Sequence, residues 1–178
     1  TKATVLASSA ATGTLVVTSS NAITQTGPLT VSGNATFTGT DITLANTGNS
    51  FGGTIAFTGA TVALFDSTAL ALAASTATGT LNAVSSAAIT QTGALAVSGN
   101  AAFTGTDITL NSANTFTGTV AFTGANVGIT DSTPLSLAAS TATGTLALTS
   151  GGALTQTGAL TVSGNATLTA PGANILLT

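Results

Sequence analysis

The chain has no cysteine, histidine, methionine, tryptophan or tyrosine, and its 178 residues include a single cation. Without thiols there are no disulfides and no thiolate metal sites. Without histidine, glutamate or arginine, few groups remain to activate a nucleophile or relay a proton. Charged residues make up 3% of the chain, against roughly 25% in an average soluble protein. They are Lys2, Asp41, Asp66, Asp107 and Asp131. A net charge of −3 lacks the basic stripe that nucleic acid requires. Long apolar runs are missing too. The run from Ala69 to Ala74 falls well below the ~18 residues that a membrane-spanning helix needs.

What remains is apolar material diluted with small polar residues. Hydrophobic residues make up 43% of the chain, too many for a chain disordered through low hydrophobicity and high charge. Threonine, serine, asparagine and glycine supply almost all of the polarity. The length alone suggests one domain, residues 1–178.

The dominant signal is internal repetition. The phrase ATGTL begins at Ala11, Ala77 and Ala142, so the second interval is one position shorter than the first. Gln25, Gln91 and Gln156 keep the same spacing, as do Val31, Val97 and Val162, which open VSGNA. Super-repeats therefore run over about 11–76, 77–141 and, incompletely, 142–178. The one-residue difference falls between Leu44 and Phe51, where the next copy from Leu110 to Phe116 is shorter. A polar Asn/Gly/Ser stretch is where a loop tolerates such a change.

A finer period lies inside. Residues Ala11, Phe37, Phe57, Ala77, Phe103, Phe122, Ala142 and Leu168 each precede a Thr-Gly or its equivalent. Their spacing predicts turns of about 20 residues, the short period of a solenoid. Three such turns make a super-repeat and about eight make the chain, with one turn of each three carrying a six-residue insertion. That longer turn holds Ile23–Gly39 and its copies, and its extra residues should form a ridge from Ser19 to Gly33. Within turns, apolar and small polar residues alternate: Ile55 and Phe57 on one side, Ala56 and Thr58 on the other. Period-2 runs broken at Gly, Asn or Ser-Thr read as short strands. Stacked turns of such strands make an all-β, right-handed parallel β-helix. Phe37 should lie over Phe57, Ile42 beneath Val62 and Leu44 beneath Leu64, each one rung, about 4.8 Å, apart. Both ends cut the pattern in mid-turn, so the natural chain is expected to continue or its ends to dock onto other copies.

The segment Ala113-Asn114-Thr115-Phe116-Thr117-Gly118, with Asn49-Ser50-Phe51-Gly52-Gly53, resembles the Asn-Thr-aromatic-x-Gly core of autotransporter-associated β-strand repeats. The chain is similar in texture to the β-helical shafts of filamentous-haemagglutinin-like exoproteins. The resemblance implies a right-handed parallel β-helix in a secreted bacterial surface protein, often an adhesin or a stalk.

Candidate chemistry is sparse. Asp41 and Asp107 share the context TGTDITL, and Asp66 and Asp131 share DST. Equivalent carboxylates recur only every third predicted turn, roughly 14 Å apart, too far for either glycosidase geometry. We therefore expect Asp-Ser-Thr to serve a turn, its carboxylate accepting backbone N–H bonds, and no catalytic residues. Each Asp stands without acidic neighbours, so no metal site is expected, since hard cations want six or more oxygens. No cofactor is expected either. The sequons at Asn34 and Asn165 are lost at Asn100, where Ala102 replaces the threonine, which points to a turn role for the asparagine. The most regular surface feature is a column of Thr12, Thr38, Thr58, Thr78, Thr104, Thr123, Thr143 and Thr169, expected as one outward row. Such a row suits lateral contacts or, by resemblance to Thr-x-Thr solenoids, ice.

A hydroxyl-coated, nearly chargeless rod with no lysine gatekeepers on its edges should associate with itself. The expected function is an extracellular or cell-surface structural solenoid that forms a fibre, sheath or stalk. The alternatives are the shaft of a secreted adhesin, for which surface glycans would be partners, and an ice-binding solenoid. Partners are expected to be other copies of the chain, without nucleic acid and without membrane insertion.

Overall fold

Alternation in this sequence is built from Val, Ile, Leu and Phe facing one way and Thr, Ala and Ser the other. Residues of that kind suit a pleated strand with one buried face. The computed structural model, which describes residues 2–177, contains strands and turns and no helix among them. Twenty-six short strands form three sheets of twelve, eleven and three strands, and every strand pair is parallel. The protein is a parallel β-solenoid. One path of ten strands runs in the largest sheet from Thr4–Leu6 to Ile175–Leu176, giving about nine turns rather than eight. Successive turns lie about 19 residues apart, as in the pairs Thr4↔Ile23, Val62↔Leu81 and Leu81↔Ala101.

The predicted stacks are present. Phe37 pairs with Phe57, Ile42 with Val62 and Leu44 with Leu64, and all six side chains are buried. The core is a continuous apolar column, with larger stacks such as Leu70, Ile89, Ile108, Val127 and Leu146 along one sheet. Phe37 meets Phe51 edge-on at 6.2 Å, and the equivalent Phe103 meets Phe116 at 5.9 Å. Each such pair adds about 0.5–1.5 kcal/mol beyond its area.

The long turn does not exist. Ala11 lies under Val31 and Val31 under Phe51, two equal steps of one turn each. Ile23–Gly39 therefore belongs to ordinary turns and raises no ridge. The sequence alignment placed Ala11 with Phe37 because both precede Thr-Gly, but the strands stack by register and not by that dipeptide. Ala77 belongs with Gly59 below it and Val97 above.

The super-repeat is also not three turns. Thr61–Asp66 lies over Asp41–Leu44, and its far end reaches Asn49 and Phe51, so one strand covers two. In the same turn Thr54–Gly59 receives two strands, Leu70–Leu72 and Ser75–Ala77. The second super-repeat repeats the exchange: Val127–Asp131 spans Ile108–Leu110 and Asn114, and Thr119–Gly124 carries Leu135–Leu137 and Ser140–Ala142. Two faces of the triangular section merge while the third splits, so the triangle turns over once per super-repeat. Ile23–Gln25 lies in the twelve-stranded sheet, Ile89–Gln91 in the eleven-stranded sheet, and Leu154–Gln156 back in the first, seven rungs above its start. Each super-repeat thus takes about three and a half turns and alternates sides, a pseudo-twofold screw along the rod.

Corners need close backbone approach. Gly33 sits so near Gly13 that a Cβ would lie 2.8 Å from the Gly13 carbonyl carbon and oxygen, and Gly99 is equally tight on Gly79. The stacked corners are joined by bonds from Gly33 N–H to Gly13 O and from Gly99 N–H to Gly79 O, at 3.0 and 2.7 Å.

Candidate functional sites on the rod

The predicted threonine row is broken up by the screw. Thr38 pairs with Thr58, and Thr104 with Thr123, but the two pairs lie in different sheets. Thr12, Thr78 and Thr143 stand at corners, the last two donating their N–H groups to Gly59 O and Gly124 O. Thr169 pairs with Thr149. In their place a different ladder forms, Thr18, Thr38, Thr58 and Thr76. Its counterpart in the other sheet is Val84, Thr104, Thr123, Thr141 and Thr161. These are nearly the same sequence positions shown twice, on two sides of the rod. The neighbouring rank Val16, Thr36 and Ala56 holds one threonine in three, so no wide Thr-x-Thr array results.

The two aspartates nearer the surface, exposed Asp41 and half-buried Asp107, serve corners. Asp41 Oδ1 accepts the Thr61 N–H at 3.0 Å, and Asp107 Oδ1 accepts the Asn126 N–H at the same distance and the Asn126 amide at 2.9 Å. Asn34 Oδ1 and Asn100 Oδ1 do likewise for the N–H groups of Thr54 and Thr119 at 3.0 Å. The asparagine does the same work in the copy that lacks the sequon. Asp107, Asn126 and Thr145 rim a shallow, open depression floored by Gly128 and Ala147. It is a dip in the sheet surface where glycine interrupts the outward row, and it does not enclose a ligand.

The other two aspartates lie inside. Asp66 and Asp131 are 0% and 1% exposed. Each is the third member of a polar ladder through the apolar core. The first ladder is Gln25, Asn49, Asp66 and Ser85. The second is Gln91, Asn114, Asp131 and Ser150, equivalent residue by residue. Asn49 and Gln25 exchange two amide bonds of 2.8 and 2.9 Å, while Asn49 also accepts Leu29 N–H and donates to Leu44 O. Asn114 and Gln91 repeat this at 2.9 and 3.0 Å, and Asn114 donates further to Thr130 O. A buried amide must be satisfied in this way, because an unpaired polar group in the core costs about 1–3 kcal/mol. The ladders stand where two faces merge into one, and there they satisfy backbone groups that the change of section leaves without strand partners.

Asp66 Oδ1 accepts Thr68 N–H and the Thr68 hydroxyl at 3.0 and 2.8 Å, as the Asp-Ser-Thr turn predicts. Asp131 Oδ1 receives the same two bonds from Thr133 at 3.0 and 2.9 Å. The motif itself carries no sign that either carboxyl is buried. Burial pushes the Asp131 carboxyl above its ordinary value, against the bonds from Thr133 and Phe116 that pull it down. Asp66 Oδ2 is buried without a hydrogen-bond partner. Among the described residues no three His, Cys, Asp or Glu come together as a metal cluster, and no helix is long and apolar enough to cross a membrane.

The sequence signals the buried ladders faintly. Gln25, Gln91 and Gln156 recur, and Asn49 and Asn114 hold their place before Phe51 and Phe116 although the loop preceding them changes length. Comparison with curated proteins and with solved structures finds no match. A family model does match, three times in succession over residues 1–58, 59–123 and 124–178. The regular repeat and the solenoid built on it agree with that match, and the chain belongs to the family described as repeats of unknown function, DUF5649.

Proposed function

We propose that this chain is a structural β-solenoid of an extracellular fibre, sheath or cell-surface stalk, and that its partners are other copies of itself. The observation that carries the reading is the repetition of one uncharged face on two sides of the rod. The Thr18–Thr38–Thr58–Thr76 ladder lies in one sheet and the Thr104–Thr123–Thr141–Thr161 ladder in another. The screw sets them three and a half rungs apart, about 17 Å along the axis. No charge interrupts either ladder, and charge is what ordinarily keeps sheet surfaces and edges apart. A rod that docks a copy on one side offers the equivalent surface on the other, which favours open ribbons or layers over closed pairs.

The resemblance to filamentous-haemagglutinin-like and autotransporter-associated repeats supports a second reading, the shaft of a secreted adhesin. A shaft holds a binding tip away from the cell and needs the same inert, stiff rod. Electron microscopy of the purified protein separates the two. Ribbons, layers or filaments with a ~4.8 Å axial repeat are the expected result. Dispersed single rods at high protein concentration would refute self-association and favour the shaft.

A further inference from the structure

We propose that Phe65 and Val84 form a knob that seats in the depression at Gly128 of a second copy, and that this contact fixes the direction and stagger in which rods associate. The inference rests on the self-association proposed above and adds the register that uncharged threonine ladders do not set by themselves.

Between residues 20 and 150, every valine, isoleucine, leucine and phenylalanine is buried except Phe65 and Val84. These two stack on successive rungs of the twelve-stranded sheet. Both occupy outward positions, since Leu64, Asp66, Ala83 and Ser85 beside them face the core. A strand with one buried face ordinarily carries polar or small residues on the other. An outward phenylalanine stacked on a valine, in a surface otherwise made of threonine, alanine and asparagine, is a contact surface without its partner.

The second super-repeat shows what the knob replaces. Thr130 and Thr149 stand at the equivalent positions and pair in the same way. Two residues earlier on each strand, Ala63 and Asn82 give way to Gly128 and Ala147. Leu44, which lies under Leu64, also leads into the longer of the two polar loops. The first super-repeat is therefore built up where the second is pared down.

The pared-down face holds the depression, about 390 Å³ and floored by Gly128 and Ala147. It is too open to enclose a small ligand, and it suits a side chain presented on a flat sheet. One wall is already held in place. The Asn126 amide donates to Asp107 Oδ1 at 2.9 Å and accepts the Thr145 hydroxyl and N–H at 2.9 and 3.1 Å. Such a wall loses little freedom when a side chain docks beside it.

Knob and depression lie in different sheets, the knob in the twelve-stranded and the depression in the eleven-stranded. The contact is heterologous, so each docked copy leaves a knob or a depression free for the next. The two features differ in height by one super-repeat, about 17 Å, and neighbouring rods are staggered by that amount. The stagger leaves a facing strip of roughly 25 Å by 15 Å, or some 800 Å² over both partners. That is less than the ~1,200–2,000 Å² of a stable pair. A single contact is therefore reversible, and strength comes from repeating it along a ribbon or layer.

The chain has no cysteine, so two single-cysteine chains test the contact with Phe65 and Gly128 left in place. Ala63→Cys sets a thiol beside the knob, and Thr109→Cys sets one a rung below Gly128. The two full-length chains are mixed and treated with a flexible bismaleimide long enough to cross the ~10 Å between stacked sheets. Mixed dimers should form well in excess of those from either chain alone. Equal cross-linking of either chain with itself would overturn the proposal. Assemblies in micrographs of the unaltered protein without mixed cross-links would overturn the register and leave self-association standing. A protein that forms no assemblies at any concentration would overturn both. Phe65→Thr installs the residue found at the equivalent Thr130 and should raise the critical concentration for assembly about tenfold. An unchanged critical concentration would overturn the knob, and if that variant fails to fold, the cross-linking decides alone.

Discussion

The stretch from Leu44 to Phe51 and its copy from Leu110 to Phe116 do the same work with different lengths. In the first, strand Asp41–Leu44 ends, a polar loop holds Asn46 and Gly48, and Ser50–Phe51 begins a separate strand. In the second, a single strand, Ile108–Phe116, continues through the corner with a register shift between Leu110 and Asn114. Asn49 and Asn114 nevertheless occupy equivalent buried positions and make the same amide pairs, with Gln25 and Gln91. The difference is absorbed in solvent, where backbone groups find water. The buried asparagine does not move, because displacing it would leave several polar groups without partners. What this rod holds constant is its internal polar ladder, and its outline is free to vary.

That comparison can be broken most forcefully at the asparagines. Asn114→Ala should cost about 3–5 kcal/mol by leaving the Gln91 amide, Leu95 N–H and two carbonyls unpaired in the core. Asn49→Ala should cost about 1 kcal/mol less, because Asn49 lacks the bond that Asn114 makes to Thr130 O. Paired urea titrations would check the order, and equal losses would show that the extra bond contributes nothing. Phe103→Ala should cost about 3–4 kcal/mol in the same assay, through the cavity left against Phe116. If the loss is under about 1 kcal/mol, the core there is not packed as described.

The corners give a smaller contrast. Gly99→Ala forces a methyl to 2.7 Å from Gly79 O and should cost about 1–3 kcal/mol. Gly13→Ala meets nothing within 4 Å and should stay within about 0.5 kcal/mol of the parent. Similar thermal shifts for the two would mean that the glycine corners are not stacked. The smallest effect sharpens the opening comparison most directly. Deleting Gly48, which brings the first loop to the length of the second, should change stability by less than about 1 kcal/mol. A large loss would mean that loop length, and not the buried ladder, is what the two copies need.

Much of the fold was legible because strand alternation and repeat spacing are local properties. Ile55 and Phe57 alternate with Ala56 and Thr58 in any context. The pairs Phe37–Phe57, Ile42–Val62 and Leu44–Leu64 follow once the short period is taken as one turn. The Thr-Gly column failed as a guide at Ala11, Ala77 and Ala142. Thr-Gly marks a strand end, and different faces have ends of the same composition. Alignment by composition therefore produced a six-residue insertion and a single threonine row where register gives uniform turns and two alternating ladders. Asp-Ser-Thr announced the turns at Asp66 and Asp131. It did not announce their burial, because hydrophilic residues in a short motif look the same on either side of a sheet.

The sequence by itself determined the strand period, the apolar column, the corner residues and the scarcity of charge, since each is carried by neighbouring residues. Only the tertiary structure decided where equivalent residues come to lie. The merging of two faces and the splitting of a third are contacts between residues a full turn apart, and no local pattern records them. They turn each super-repeat by half a revolution, bury two aspartates that elsewhere would cap a surface turn, and place the same uncharged face on two sides of the rod. The physical reason is register: parallel strands stack where their hydrogen bonds and inward side chains fit the rung below, whatever phrase the sequence repeats.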